Sequence, residues 1–99
     1  MPNTTSINVR HNPQAQRFEA IIDGHPPCVC DYRLQDGGVL ALVHTEVPAA
    51  LEGRGIASAL VQSAFEYAQE KNLVVRPLCS YVRVWVKRHP QVQALVRND

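Results

Sequence analysis

Residues 42–71 read LVHTEVPAALEGRGIASALVQSAFEYAQEK, and this stretch contains the most informative pattern in the sequence. Its first part, up to Val47, is rich in β-branched and apolar residues, as strands are. After the glycine turn the period changes, because apolar residues recur at helical spacing from Ile56 onward. The stretch therefore predicts a strand, a glycine turn, and an amphipathic helix from Gly55 to Lys71.

The turn at residues 52–57, EGRGIA, has the composition of an anion-binding helix start. The first N–H groups of a helix have no intrahelical acceptor and lie at the positive end of its dipole. Gly53 and Gly55 leave the approach to these groups open, so a phosphate can bind the amides of Arg54 to Ser58. The Ser58 hydroxyl and the Arg54 charge can add to this binding.

The alternative interpretation is a tight turn that binds nothing, with glycines present only for backbone geometry. A strand before the turn and an amphipathic helix after it favour the anion site. A P-loop is excluded, because no Gly-Lys-Ser/Thr follows the turn. On spacing alone the ligand is a phosphate-bearing cofactor of unspecified kind.

The sequence before this unit predicts a meander of antiparallel strands that precedes the helix. The strands are predicted at Ile7–His11, Arg17–Ile22, Cys28–Leu34 and Val39–Val47. The last is apolar on both faces until His44 and should lie inside the sheet. A strand at Leu73–Leu78 should run parallel to it, with Pro77 at an edge or a bulge. A helix at Tyr81–Arg88 and a short turn at Gln91–Val96 complete an α+β (α/β-like) fold.

Composition limits the classes of protein that this chain can represent. Its 99 residues suit a single domain, 1–99, and the 45% apolar content supports a core. A net charge of +1 gives no strong attraction to nucleic acid or to an acidic membrane surface. We expect no partner of either kind, no transmembrane helix and no signal peptide. The oligomeric state, monomer or dimer, stays open.

The cysteines indicate a reducing compartment. Cys28, Cys30 and Cys79 are three in number, which argues against a secreted disulfide framework. No second Cys or His pair has the spacing of a zinc finger, so no metal site is expected. Cys28 and Cys30 read as buried strand residues, and the expected location is the cytoplasm.

Together these residues resemble the acetyl-CoA motif of the GNAT (Gcn5-related) N-acetyltransferase superfamily, which reads Gln/Arg-x-x-Gly-x-Gly/Ala. Gly55 and Ala57 occupy the last two small positions, whereas Glu52 stands where the family has Gln or Arg. The resemblance extends to the segments TEVP at residues 45–48, CSYV at 79–82 and RHP at 88–90, as in a minimal, YjdJ-like subfamily of about this length.

This resemblance implies a truncated GNAT fold that holds acetyl-CoA between two splayed parallel strands. The pantetheine arm would lie along the backbone near Val47, and the pyrophosphate would bind the turn. The implied cofactor contacts are Val47, Gly53, Arg54, Gly55, Ile56, Ala57 and Ser58. The implied activity is acetyl transfer to an amine acceptor, a protein or peptide amine among the candidates, in an open cleft. The alternative is a non-catalytic acyl-CoA-binding module that acts through a partner protein.

Such a transfer needs a base for the amine and an acid for the leaving thiolate. Glu46, with His44 on the same strand face, is the candidate base, or else an exposed strand-end residue. Cys79 is a candidate nucleophile that takes the acetyl group, or else a small buried residue. Tyr81 is the candidate acid, or else a packing residue. The superfamily's usual tyrosine falls near Val86, so that acid is missing or moved.

Overall fold

The computed structural model describes residues 7–97, which form one five-stranded sheet and two α-helices. The strands lie in the sheet in the order in which they occur along the chain. Their bounds are β1 Arg10–Asn12, β2 Arg17–Ala20, β3 Cys28–Gln35, β4 Val39–Glu46 and β5 Val74–Pro77. The helices are α1 Ile56–Glu70 and α2 Ser80–Lys87, with short 3-10 helices at Ala49–Leu51 and Pro90–Leu95.

The predicted antiparallel meander is confirmed. Strands β1, β2 and β3 each pair antiparallel with the strand that follows them in the chain. The tight connection from β3 to β4 depends on Gly37 and Gly38, whose φ angles are 83° and 74°. Residues with a Cβ are strained at such angles, so the glycine pair makes this hairpin possible.

The parallel pair of β4 and β5 is also confirmed, and the two strands part before β4 ends. Their pairing runs from Val39 with Val74 to Leu42 with Pro77. The N–H groups of Leu78 and Cys79 then both donate to the Leu42 carbonyl, at 3.0 Å each. Strand β4 continues to Glu46 without β5 beside it. Strand β5 lies at the sheet edge, which is where Pro77 is tolerated.

A bulge in β4 sets which face each of its later side chains occupies. Asp31 pairs with His44 and Tyr32 pairs with Leu42, so Val43 is the extra residue. An extra residue reverses the alternation of side chains along a strand. Because of the bulge, the side chains of Leu42 and His44 lie on opposite faces of the sheet, although the two residues are two positions apart.

The core lies between the sheet and α1. Buried residues of α1, with Leu60, Ala64 and Ala68 fully covered, pack against Leu40 and Leu42 of β4. Cys28 and Cys30 are buried, as predicted. Burial raises the pKa of the Cys30 thiol to about 12, so this residue is an inert packing group at neutral pH.

The predicted strands and helices match the structure within one or two residues at most ends, and the main difference is the first strand. Ile7 to Val9 lie outside β1, which begins at Arg10. Arg10 pairs with Glu19, and β2 ends one residue later, so little strand remains to pair with residues before Arg10. The α+β fold class is confirmed. Within residues 7–97, no helix combines the length and apolarity needed to cross a membrane.

A buried aromatic cluster makes stability depend on the protonation of His11. Its ring stacks on Phe18 at 4.5 Å and meets Tyr67 edge-on at 4.5 Å. Its Nε2 lies 2.6 Å from the Tyr32 hydroxyl. Burial lowers the pKa of His11, which means that the folded state binds a proton at this ring less readily than the unfolded state.

We expect the protein to lose stability as the pH falls below the unfolded His pKa of about 6.5. The contribution of His11 is complete above that value and is lost toward the lower, folded pKa. The melting temperature should fall by a few degrees between about pH 8 and pH 5.5, since about 4–8 °C corresponds to 1 kcal/mol in a small domain. The slope should flatten in His11→Gln and persist in the matched variant His25→Gln; equal slopes in all three would contradict this role.

Candidate active site

The glycine turn brings the start of α1 next to the end of β4. After β4, a 3-10 helix anchored by the buried Leu51 leads into Gly53 and Gly55, whose φ angles are 83° and 79°. Gly55 is the residue that precedes α1, and its left-handed conformation directs the chain into the helix. The first helical bond joins the Ala59 N–H to the Gly55 carbonyl at 3.0 Å. The N–H groups of residues 56–58 therefore have no acceptor within the helix.

A cleft of about 560 Å³ opens at this helix start, within the range typical of small-molecule sites. A Cβ built on Gly53 or Gly55 would meet no atom within 4 Å, so these glycines leave space that a ligand can use. The cleft is lined by Thr45, Glu46, Val47, Leu51, Glu52, Gly53, Gly55, Ile56, Ala57, Ser58 and Tyr81. An open glycine cradle at a helix start fits the diphosphate of a coenzyme.

Six of the seven predicted cofactor contacts line this cleft, and Arg54 is the exception. It lies within the turn, but its side chain does not contribute to the lining. The charged residues among those that line the cleft are Glu46 and Glu52. Attraction for a phosphate must therefore come from the amides at the start of α1 rather than from a lysine or arginine in the wall.

Ser58 is bonded to a residue that sequence analysis did not single out. The Trp85 indole N–H donates to the Ser58 Oγ at 2.8 Å. Trp85 belongs to α2 and packs face to face with Phe65 of α1. Trp85 lies within the predicted helix Tyr81–Arg88, and nothing in the spacing of the sequence links it to residue 58.

Cys79 lies beside the cleft, at the residue that precedes α2. Its Sγ is 3.2 Å from the Thr45 Oγ1, and Thr45 lines the cleft. Burial alone would raise the pKa of this thiol, but interactions with the Thr45 side chain and with the backbone N–H groups of Val82, Tyr81 and Thr45 outweigh it, so the pKa is lowered. Backbone N–H groups at the start of α2 lie near the Cys79 Sγ, but the Cys79 side chain makes no capping hydrogen bond to this helix.

Tyr81, at the start of α2, is among the residues that line the cleft. Burial raises the pKa of its phenol, Arg88 opposes this rise, and Cys79 adds to it. A phenol with a raised pKa is protonated at neutral pH and can donate a proton. Val86, near which the superfamily's usual tyrosine would fall, is buried. Tyr81, which lies earlier in the same helix, has a phenol that can donate a proton.

Glu46 and His44 lie on the opposite face of the sheet from the core. Glu46 pairs with Val29, whereas Thr45 pairs with the core residue Cys30. The His44 Nε2 is 3.1 Å from the Glu46 Oε1, and the two side chains are 55% and 70% exposed. Glu46 is nevertheless among the residues that line the cleft, and its carboxylate is accessible from solvent.

The arrangement can bind an anion at the helix start, and Tyr81 and Glu46 are among the residues that line the same cleft. Its donors are backbone amides and hydroxyls, which suit phosphate oxygens rather than a metal ion. Among residues 7–97 there is no group of three His, Cys, Asp or Glu side chains that could hold a metal ion.

The chain is similar in sequence to known proteins. A family model described as GCN5-related N-acetyl-transferase matches residues 17–95. Protein NATD1 of Xenopus tropicalis is 35% identical over 98 residues, which cover 98% of this chain and 90% of that protein. Protein NATD1 of Mus musculus is 36% identical over 92 residues, covering 92% and 84%.

A solved structure shares the fold. The solution NMR structure of a GCN5-like putative N-acetyltransferase from Staphylococcus aureus superposes with a TM-score of 0.75. It covers 97% of this chain and 93% of its own, at 21% sequence identity. At this sequence identity, the similarity shows that the two proteins share a fold.

Proposed function

The chain belongs to the GCN5-related N-acetyltransferase family, and we propose that it transfers the acetyl group of acetyl-CoA to an amine acceptor. The observation that carries the proposal is the cleft at the start of α1. It combines amides without intrahelical acceptors, two glycines with open space above them, and the end of β4.

Donor binding would use the backbone on both sides of the turn. The pyrophosphate would accept hydrogen bonds from the amides of residues 56–58. The pantetheine arm would lie along β4 beyond Leu42, where β5 no longer pairs with it. Val47, at the end of this segment, lines the cleft. The acidic side chains Glu46 and Glu52 do not attract an anionic ligand. Binding of the coenzyme would therefore depend mainly on backbone contacts.

When bound, acetyl-CoA supplies a thioester whose acetyl carbon an amine can attack. Glu46 would take the proton that the amine loses, directly or through water, and its contact with His44 holds the carboxylate in place. Tyr81 would give a proton to the departing thiolate. The amine thus becomes an amide and the thioester becomes a thiol, with one proton moved on each side.

The acceptor would be large, such as a protein or peptide amine. The connection from β1 to β2 spans only residues 13–16 and leaves no room for a helix that would wall off the cleft. Glu46 and His44 are exposed on the sheet face opposite the core. A long lysine-like amine on a protein surface can reach such a carboxylate, whereas a small buried substrate would have few contacts there.

The proposal predicts that acetyl-CoA and a panel of amines release free thiol, and that Glu46→Gln slows this release about tenfold. The expected effect lies below the usual range of about 100-fold or more for a general base, because a solvated carboxylate can be replaced by water and buffer. Steady-state kinetics would measure it. The matched variant Glu70→Gln removes the same charge from the far end of α1 and should keep full activity.

Equal rates for the Glu46→Gln and Glu70→Gln variants would remove Glu46 from the mechanism. Intact-mass measurement during the same incubation tests the route. Direct transfer predicts no acetyl group on Cys79, whereas an adduct that is lost in Cys79→Ala would identify a covalent route in which the thiol first attacks the thioester.

The second candidate function is a non-catalytic acyl-CoA-binding module that acts through a partner protein. Two observations favour it: the exposure of Glu46 and the buried valine near the usual acid position. Binding of coenzyme A without thiol release from any amine would support this function. Absence of binding at millimolar coenzyme A would exclude both.

A further inference from the structure

The contact between Trp85 and Ser58 fixes how the serine hydroxyl can act. An indole N–H can only donate, so at 2.8 Å the Ser58 oxygen must be the acceptor. The hydroxyl proton is then directed away from Trp85 and remains available for donation. Ser58 lines the cleft in the first turn of α1, where it neighbours the amides of residues 56 and 57.

Trp85 itself is held in place. Its ring stacks between Phe65 at 5.4 Å and His89 at 3.8 Å, and the residue is 4% exposed. The His89 Nδ1 lies 2.7 Å from the Trp85 carbonyl, which can only accept, so that nitrogen carries a proton. Neighbouring residues thus hold both the side chain and the backbone of Trp85, and this fixes the orientation of the indole N–H.

The indole N–H of Trp85 restricts the orientation of the Ser58 hydroxyl. A serine hydroxyl near a helix start can turn toward the backbone carbonyl three or four residues earlier, here that of Gly55 or Arg54. Such a rotamer would withdraw its proton from the cleft. The bond from Trp85 holds the oxygen toward α2 and leaves the proton for a ligand at the helix start.

We propose that Trp85 is a positioning residue that orients the Ser58 hydroxyl as a hydrogen-bond donor to the coenzyme's pyrophosphate. This inference rests on the proposed function, because it takes that ligand as given. It adds a side-chain donor to a site that otherwise relies on backbone amides. It also makes phosphate binding at α1 depend on the placement of α2.

Calorimetry with coenzyme A and with pantetheine, which lacks the pyrophosphate, tests the proposal. Trp85→Phe keeps an aromatic ring for the stack and removes the N–H, and Ser58→Ala removes the hydroxyl. Each should weaken coenzyme A binding about tenfold, as expected for the loss of one hydrogen bond to a charged group. The double variant should bind no more weakly than Ser58→Ala alone. Pantetheine affinity should stay unchanged in all three.

Unchanged affinity in Trp85→Phe, additive losses in the double variant, or an equal loss for pantetheine would each overturn the proposal. If the unaltered protein does not bind coenzyme A, the proposed function fails as well, and this outcome is distinct from the others.

A second measurement needs no change at position 85. The chain has one tryptophan, so its indole N–H gives a single proton NMR signal. Addition of coenzyme A should shift this signal in the unaltered protein and leave it nearly unmoved in Ser58→Ala, with pantetheine shifting neither. A shift of equal size in both proteins would show that Trp85 senses the ligand by some path other than the serine.

Discussion

Replacement of Gly55 by alanine should weaken coenzyme A binding about 100-fold, or about 2.7 kcal/mol. Gly55 has a φ of 79° and directs the chain into α1, and a Cβ built there projects into open space at the cleft. A methyl group at this point would occupy the approach to the amides of residues 56–58. The left-handed backbone adds strain of about 1–2 kcal/mol, which can tilt those amides as well. Isothermal calorimetry would measure the loss.

Gly24→Ala is the control for this prediction. Gly24 has a φ of 80°, no atom within 4 Å of a built Cβ, and a position in the turn between β2 and β3. The two variants should lose similar stability in thermal unfolding, whereas only Gly55→Ala should lose coenzyme A binding. Retention of full affinity by Gly55→Ala would show that the ligand does not approach the amides at the start of α1.

Tyr81→Phe should lower kcat about 100-fold while leaving the affinity for coenzyme A within about twofold. Tyr81 lines the cleft, and burial raises the pKa of its phenol, so the phenol carries its proton at neutral pH. The expected loss is at the lower end of the range for a general acid, since a thiolate is already a fair leaving group. Steady-state kinetics with a saturating amine acceptor would measure kcat, and calorimetry would measure affinity.

The pH profile sharpens this test. A raised pKa keeps the acid protonated, so the high-pH limb of kcat should fall only above the ordinary tyrosine value of about 10. Tyr67→Phe, in the aromatic cluster beneath α1, is the matched control and should retain kcat. A kcat that falls equally in both variants would assign the effect to packing. A kcat unchanged in Tyr81→Phe would exclude the phenol as the acid.

The parts of the fold that follow from short-range pattern could be predicted from sequence. The helical spacing after Ile56 and the glycine pair before β4 determine local backbone geometry, and both features appear as expected. The parallel order of β4 and β5 follows from the helix between them. Six of the seven predicted cofactor contacts line one cleft because most of them are neighbours in the chain.

The parts that depend on three-dimensional packing could not be predicted. Strict alternation along β4 would place His44 and Glu46 on the core face with Leu42, and the bulge at Val43 turns them to solvent. Whether a strand contains an extra residue depends on its partner, which local sequence does not specify. The bond between Trp85 and Ser58 likewise joins residues 27 positions apart through the packing of α2 on α1.

The chemistry of Cys79 shows the same limit. Its residue type permits either a nucleophile or a packing role, and the choice depends on its pKa. The Thr45 hydroxyl and the start of α2 lower that pKa, whereas Cys30, two strands away, has its pKa raised by burial. Two cysteines of one chain thus differ because of their surroundings, which only the folded arrangement provides.

The sheet edge formed by β5 has a consequence for how the protein behaves at high concentration. An exposed edge strand offers unpaired N–H and C=O groups to other chains, and long flat edges promote aggregation. Here β5 has four residues, Pro77 offers no N–H, and the Arg97 N–H donates to the Val75 carbonyl at 2.8 Å. The chain thus covers part of its own edge, which lowers its tendency to join other sheets and favours solubility.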